Sequence, residues 1–229
     1  EKAIYTMQEE GVDLIELGVP FSDPAADGPV IQRADERALA QGVDIFKVFE
    51  LVRKIRNNVE VPMVFLLYYN VMVQYGIEKF FKRCQETGVD GLIIPDLPYE
   101  ESDEIKEYTE KYGVYQISLV SPTSKDRIKN IAKDAKGFLY CISSLGVTGE
   151  KSSFVTNFDE FVGTIKKYTD VPACVGFGVS NGRQVKELTK YFDGAIVGSA
   201  IVKSIATGES VEERINNLRE KIKDLKSGL

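Results

Sequence analysis

The sequence predicts an α/β fold of the TIM (β/α)8-barrel class, with one strand fewer than a complete barrel. Short apolar runs recur along all 229 residues, and segments with helical periodicity lie between them. Most runs are continuously apolar, which is typical of strands buried on both faces of a parallel sheet. Repeated alternation of such strands with helices favours a parallel sheet, and at this length a barrel is the leading arrangement.

Seven apolar runs are the predicted strands. In order, they span residues 12–17, 61–67, 89–95, 114–120, 137–142, 171–177 and 193–198. Since a barrel needs eight strands, the count is one short. Ala3, Ile4 and Met7 have the spacing of a helix end, which implies a strand before it, and the sequence begins without a methionine. We therefore expect a barrel whose first strand is missing. An open doubly wound sheet is the alternative, although no G-x-G-x-x-G motif supports dinucleotide binding.

Helices are predicted between these strands from a 3.6-residue apolar rhythm. The clearest sets are Ile45, Val48, Phe49, Val52 and Ile55, then Ile77, Phe80, Phe81 and Cys84, and later Phe158, Phe161, Val162 and Ile165. Residues suited to cap helix N-termini are Asp44, Ser102, Ser124, Asn157 and Ser180. Because no linker or low-complexity stretch divides the chain, we expect a single domain over residues 1–229 that is incomplete at its N-terminus.

Composition excludes several classes of function. The chain is 43% hydrophobic and 28% charged with a net charge of −6, which argues against nucleic-acid binding. No window approaches the roughly 18 apolar residues of a membrane span. The three cysteines are widely spaced, so we expect reduced thiols in a cytoplasmic protein. The chain has no histidine, and we expect no metal site.

Residues 15–29, IELGVPFSDPAADGP, are the most informative segment of the chain. The apolar part predicts a strand, and the prolines and glycines after it predict a loop. Glu16 lies inside the strand, where burial of a carboxylate is costly unless the group is paired or used. Asp27 lies in the loop. Without histidine, carboxylates are the leading proton carriers, whereas the alternative interpretation is an ordinary solvated acidic loop.

Three glycine-containing segments follow the last three predicted strands. They are SLGVTG at 144–149, GFG at 176–178, and Gly198 with Ser199. If one strand is missing, these become the loops after strands six, seven and eight. A phosphate often binds in (β/α)8 barrels between the last two loops, at the N-terminus of a short helix. We therefore predict a phosphate site at Gly178, Gly198 and Ser199.

At this level of detail the sequence resembles the tryptophan synthase alpha chain family. The segment 16–29 resembles the signature of that family, and further matches follow in order at 68–70, 89–98 (VDGLIIPDLP), 146–149, 176–178 and 198–202. The resemblance covers nearly all of residues 5–225.

The resemblance implies cleavage of indole-3-glycerol phosphate to indole and glyceraldehyde 3-phosphate, without a cofactor of the chain's own. Glu16 matches the family's general acid/base, and Asp27 matches the residue that engages the indole N–H. The implied partner is the pyridoxal-phosphate-dependent beta chain in an α2β2 assembly, and Pro20 and Asp23 match the contact with it.

Further substrate-binding residues follow from the same resemblance. Tyr140 matches a tyrosine near the catalytic glutamate, and Thr148 and Gly149 match the mobile sixth loop, whose threonine bonds to the catalytic aspartate. The indole-pocket positions are Phe177, Leu66, Ile93 and Leu119. As strand residues, Tyr140 and these apolar side chains are equally compatible with an ordinary core.

The family's first strand supplies one wall of the indole pocket, and no counterpart to it precedes these residues. A folded but inactive binding module is therefore a rival interpretation. Another phosphate-binding barrel enzyme, such as a phosphoribosyl isomerase or an indole-glycerol-phosphate synthase, is a third, against which the segment 16–29 argues.

Overall fold

A computed structural model describes residues 1–142, 157–176 and 178–229. The strands are β1 (Ile15–Gly18), β2 (Met63–Leu66), β3 (Gly91–Ile93), β4 (Tyr115–Gln116), β5 (Ser118–Val120), β6 (Leu139–Ile142), β7 (Ala173–Gly176) and β8 (Gly194–Ala195). The α-helices are α1 (Lys2–Glu9), α2 (Pro29–Ala40), α3 (Ile45–Ile55), α4 (Tyr69–Tyr75), α5 (Ile77–Thr87), α6 (Asp103–Tyr112), α7 (Lys125–Asp134), α8 (Phe158–Lys166), α9 (Gly182–Leu188), α10 (Ser199–Ala206) and α11 (Val211–Lys226). Within the described residues, no helix is both long and apolar enough to cross a membrane.

Every predicted strand run contains a strand, and all pairings are parallel. The fourth run is divided at Ile117 into β4 and β5, so that one four-stranded sheet runs β1-β2-β3-β4 and another runs β5-β6-β7-β8. The chain forms two compact units, residues 1–116 with 202–219 and residues 117–201 with 220–229. The single domain over 1–229 stays a prediction.

The two faces of the first sheet have different neighbours. Side chains alternate along a strand, so Met63 and Phe65 point to one face and Val64 and Leu66 to the other. Met63 and Phe65 belong to the apolar core of the first unit, together with buried residues of α3 and α5 such as Phe49. Val64 is buried but lies outside that core. Glu16 pairs in register with Val64 and therefore shares its face.

The helical rhythms predicted the buried helix faces well. All five residues of the α3 set are buried, and in α5 and α8 every residue of the predicted sets is buried except Ile77 and Phe158. Asp44 and Asn157 cap as predicted, accepting bonds from the Lys47 and Glu160 amides.

The predicted caps at three serines need correction. Ser102 and Ser124 occupy N-cap positions, but neither side chain makes a capping bond. The prediction for Ser180 is wrong, because Asn181 caps α9 by accepting from the Gln184 amide. Ser180 bonds instead to the Gln184 side chain.

An aspartate clamps the start of a strand once in each unit. Asp90, just before β3, accepts from the Met63 amide at the start of β2 and from Arg56, both at 2.8 Å. Asp193, just before β8, likewise accepts from the Ala173 amide at the start of β7 (2.7 Å) and from Lys166 (2.6 Å). Each carboxylate therefore satisfies an amide that has no partner in its own ladder and pairs with a cation.

Asp90→Ala should destabilise the protein by about 1–2 kcal/mol, because the Met63 amide loses its acceptor and Arg56 its counter-ion. Asp90→Asn retains an acceptor and should cost less. Urea unfolding measures both. Asp103→Ala is the matched control, since Asp103 is exposed and lies 3.9 Å from Lys106; its effect should stay within about 0.5 kcal/mol. Equal losses for Asp90→Ala and Asp103→Ala would contradict the clamp.

Candidate active site

Glu16 lies on the face of the first sheet that is turned away from the helical core. Register pairs Glu16 with Val64, and Leu66 with Ile93, so the four side chains share one face. The position of Leu66 and Ile93 on that face, outside the helix-packed core, is compatible with the predicted pocket. Burial, reinforced by the nearby charge of Asp27, raises the pKa of Glu16 to about 7.

Asp27 is held by the hydroxyl of Tyr68. The Tyr68 hydroxyl accepts a hydrogen bond from the Ala26 amide at 2.9 Å and lies 2.8 Å from Asp27 Oδ2. Since an amide can only donate, the single hydroxyl proton of Tyr68 is available to Asp27, which therefore accepts. Burial raises the pKa of Asp27, and the bond from Tyr68 opposes that rise.

The backbone of Asp27 is also fixed at both ends. Its amide donates to the Pro24 carbonyl at 3.2 Å, and its carbonyl accepts from the Gln32 side chain at 2.8 Å. Gly28 and Pro29 follow at once as the N-cap and first residue of α2, where proline's fixed φ suits a helix start. The loop after β1 therefore holds the backbone of Asp27 in a fixed position just before α2.

Asp27 is close enough to Glu16 for its negative charge to add to the effect of burial in raising the pKa of Glu16. With the pKa of Glu16 at about 7, both its acid and its base forms are available near neutral pH. The bond from Tyr68 favours the ionised form of Asp27. The pair can therefore supply one proton donor and one anion at the same pH.

Three neighbours of this pair had no role in the sequence predictions. Tyr68 is buried and holds Asp27, and Phe21 stacks on Tyr68 with ring centroids 5.0 Å apart. Burial and the charge of Asp27 raise the pKa of Asp35, on α2, to about 6. The sequence placed Tyr68 in a matched segment, but no pattern indicated its bond to Asp27.

In the second unit, Tyr140 lies on β6 between Leu119 and Cys174 in register. Its ring packs against Gly176, where an added Cβ would come within 2.5 Å of the tyrosine. A side chain at position 176, the first glycine of the GFG segment, would therefore clash with the ring of Tyr140. Leu119, Tyr140 and Gly176 share one face of this sheet, and the substrate role of Tyr140 and Leu119 stays a prediction.

The predicted phosphate residues are exposed and follow two neighbouring strands. Gly178 comes after β7 with φ of +78°, a conformation that favours glycine. Gly198 follows β8, and Ser199 is the first residue of α10. Neighbouring parallel strands end at the same edge of a sheet, so these residues lie at one edge.

Thr148, Gly149 and Phe177 lie outside the described residues.

Pro20 and Asp23 belong to the loop between β1 and α2, and Asp23 is exposed. A cavity of about 330 Å³ is lined by residues 21–25, which include Asp23, and by Gln32, Glu36 and Leu39 of α2. Neither Glu16 nor Asp27 lines this cavity.

Among the described residues, no three Cys, Asp or Glu side chains are grouped to hold a metal ion.

Comparison with known proteins gives a consistent result. The sequence profile of the family described as "Tryptophan synthase alpha chain" matches residues 1–229. The tryptophan synthase alpha chain of Alkaliphilus metalliredigens is 47% identical over 227 residues, covering 98% of this chain and 85% of that protein. The corresponding protein of Thermoanaerobacter sp. is 46% identical over 226 residues, covering 99% and 86%.

Solved structures agree. Tryptophan synthase subunit alpha from Campylobacter jejuni matches with a TM-score of 0.85 at 39% identity, covering 97% of this chain and 88% of that one. A tryptophan synthase from M. tuberculosis in its aminoacrylate-bound form matches with a TM-score of 0.85 at 33% identity, covering 99% and 85%. This likeness confirms the predicted fold class.

Glu16 should make stability depend on pH. Its pKa is about 7 in the folded protein against 4.5 as the ordinary value, so the folded state binds more protons between these limits and loses stability as pH rises. Glu16→Gln should therefore be about 1–3 kcal/mol more stable than the parent at pH 8 and equal to it at pH 4.

Urea unfolding at both pH values measures this difference. Glu60→Gln, which alters an exposed carboxyl of the same unit, is the control. A Glu16→Gln effect that is the same at pH 4 and pH 8 would show that Glu16 is not perturbed.

Proposed function

The chain belongs to the tryptophan synthase alpha chain family, and from that premise we propose that it cleaves indole-3-glycerol phosphate to indole and glyceraldehyde 3-phosphate. Family membership makes it a lyase of tryptophan biosynthesis, and the retro-aldol reaction is the finer proposal. The observation that carries it is the pair Glu16 and Asp27, in which one carboxyl has a pKa of about 7 beside a second that Tyr68 holds as an acceptor.

Retro-aldol cleavage needs two proton transfers, one to the substrate and one from it. A proton is added to C3 of the indole ring, and the hydroxyl on the attached glycerol carbon loses its proton. The carbon–carbon bond then breaks, its electron pair returns to the ring, and the hydroxyl carbon becomes the aldehyde. A carboxyl with a pKa near 7 suits this exchange, so we assign it to Glu16.

Asp27 acts on the ring nitrogen in this proposal. Protonation at C3 makes the indole ring positive, and that charge is shared with the N–H. An ionised Asp27 accepts from the N–H and stabilises the charge where it develops. Leu66 and Ile93, on the same sheet face as Glu16, are proposed to contact the apolar ring.

The phosphate of the substrate is assigned to Gly178, Gly198 and Ser199. Glycine allows an anion to approach backbone amides closely, and the N-terminus of α10, which begins at Ser199, is the positive end of a helix dipole. Among the residues that the structure describes, a Cβ added to Gly198 would meet no atom within 4 Å beyond its chain neighbours. Tyr140, Leu119, Phe177, Thr148 and Gly149 are retained as proposed substrate contacts.

The proposed partner is the pyridoxal-phosphate-dependent beta chain, in an α2β2 assembly, and this chain is proposed to use no cofactor itself. Support comes from the surface of the loop after β1. Asp23 is exposed there, and the adjoining cavity is lined by both apolar and acidic side chains, which is compatible with a recognition surface for another chain. Pro20 and Asp23 are the proposed contacts.

Glu16→Gln should abolish most lyase activity while substrate binding is retained. Glutamine keeps the shape but carries no exchangeable acid proton, so kcat should fall about 10²–10⁴-fold with KM changed little. Indole release from indole-3-glycerol phosphate measures this. In the parent, inorganic phosphate should compete with the substrate.

Asp13→Asn is the matched control, since Asp13 is an exposed carboxyl two residues before β1. It should leave kcat within about twofold, as expected of a surface change. If Glu16→Gln kept activity within tenfold of the parent, the assignment of Glu16 would be wrong. A parent without lyase activity would refute the proposed function.

A further inference from the structure

We infer that Phe21 is a positioning residue for the lyase reaction: its ring fixes the plane of Tyr68, and thereby directs the Tyr68 hydroxyl proton at Asp27. The inference deepens the proposed function and rests on it for the role of Asp27. The geometry that carries it is confined to the first unit and to the loop between β1 and α2.

The loop after β1 contacts Tyr68 at three points. Phe21 stacks on the ring with centroids 5.0 Å apart and planes 26° from parallel. Ala26 donates its amide proton to the hydroxyl at 2.9 Å, and Asp27 accepts from the hydroxyl at 2.8 Å. Tyr68 is 5% exposed, so the loop is folded around a buried tyrosine.

The orientation of the Tyr68 ring determines the direction of its O–H bond. The C–O bond of tyrosine lies on the axis about which the ring turns, so turning the ring leaves the oxygen in place. The O–H bond prefers the plane of the ring, so turning the ring changes where the proton points. The ring torsion of tyrosine is broad when nothing restrains it. Phe21, lying nearly parallel to the ring, supplies that restraint.

The restraint on the Tyr68 ring affects the ionisation of Asp27. Three ionisable groups interact with this region: Glu16 on β1, Asp35 on α2 and Tyr68 after β2. Burial and the charge of Asp27 raise the pKa of Glu16 and of Asp35. Burial raises the pKa of Asp27 itself, and the bond from Tyr68 favours the ionised form of Asp27. If the hydroxyl proton is no longer aimed at Asp27, the pKa of Asp27 rises and its carboxylate is less well oriented.

Phe21→Leu tests this with apolar volume nearly retained and the flat face removed. We expect kcat to fall about 10-fold or more with KM within twofold, because small misplacements of a reacting group cost rate rather than binding. The acidic limb of the kcat/KM profile should move to higher pH. Phe21→Tyr, which keeps the aromatic face, should restore both.

The matched control is Phe46→Leu. Phe46 lies on α3 and contacts Tyr75 at the same centroid distance of 5.0 Å. Within the part of the chain that the structure describes, tyrosine hydroxyls bond to carboxylates at Tyr68, Tyr69 and Tyr112, and Tyr75 makes no such bond. This variant should leave kcat and the pH profile unchanged. Equal losses for Phe21→Leu and Phe46→Leu would overturn the inference, as would a loss confined to KM.

A double-mutant cycle separates action through Tyr68 from a general effect on folding. Tyr68→Phe removes the hydroxyl, so adding Phe21→Leu should then lower kcat by less than about twofold, since contacting residues are not additive when one acts through the other. Independent, multiplying losses would overturn the inference.

A second readout does not need activity. The pKa of the Asp27 carboxyl can be followed by ¹³C NMR, with the signal assigned by its absence in Asp27→Asn. Phe21→Leu should raise this pKa in the same direction as Tyr68→Phe, and Phe46→Leu should not. If the parent lacked lyase activity, the proposed function would fail while this titration still decided the role of Phe21; an unchanged pKa would refute it.

Discussion

The site depends on two carboxyl groups that cannot both be ionised at low cost. Glu16 is placed on β1 by the strand register, where burial and the charge of Asp27 raise its pKa to about 7. The hydroxyl of Tyr68 donates to Asp27 and favours the ionised form of Asp27, whereas burial favours the protonated form of Glu16. The division into a proton donor and an anion thus follows from one hydrogen bond and one buried position.

The two ends of the strands serve different purposes. Asp90 and Asp193 clamp the starts of β2 and β7, where they satisfy backbone amides and pair with cations. Asp27 and Ser199 come after the ends of β1 and β8. This matches the general rule for (β/α)8 barrels, in which the N-terminal ends of the strands stabilise and the C-terminal ends carry chemistry.

The fold was predictable because burial imposes local patterns. Continuous apolar runs located each strand, and the spacing of Phe49 and its neighbours located the buried face of α3. Details that depend on competition between neighbours were not predictable. Asn181 rather than Ser180 caps α9, and the break of the fourth strand run at Ile117 has no distinct sequence signal.

The candidate site was predictable in part. Glu16 and Asp27 stand out as acids in and after a buried strand, and the motif around them is specific. The parts that were missed, Tyr68 and Phe21, act through contacts between residues 41–47 positions apart, which no local pattern encodes. The sequence therefore predicted which groups react, whereas the structure shows what holds Asp27.

The most direct test of this account is the titration of the Glu16 carboxyl by ¹³C NMR in the parent and in Asp27→Asn. The account predicts a pKa of about 7 in the parent. In Asp27→Asn it predicts a lower value that still lies above the ordinary one, since the charge of Asp27 is removed but burial remains. A parent Glu16 that titrates near 4.5, or one whose pKa is the same in both proteins, would contradict it.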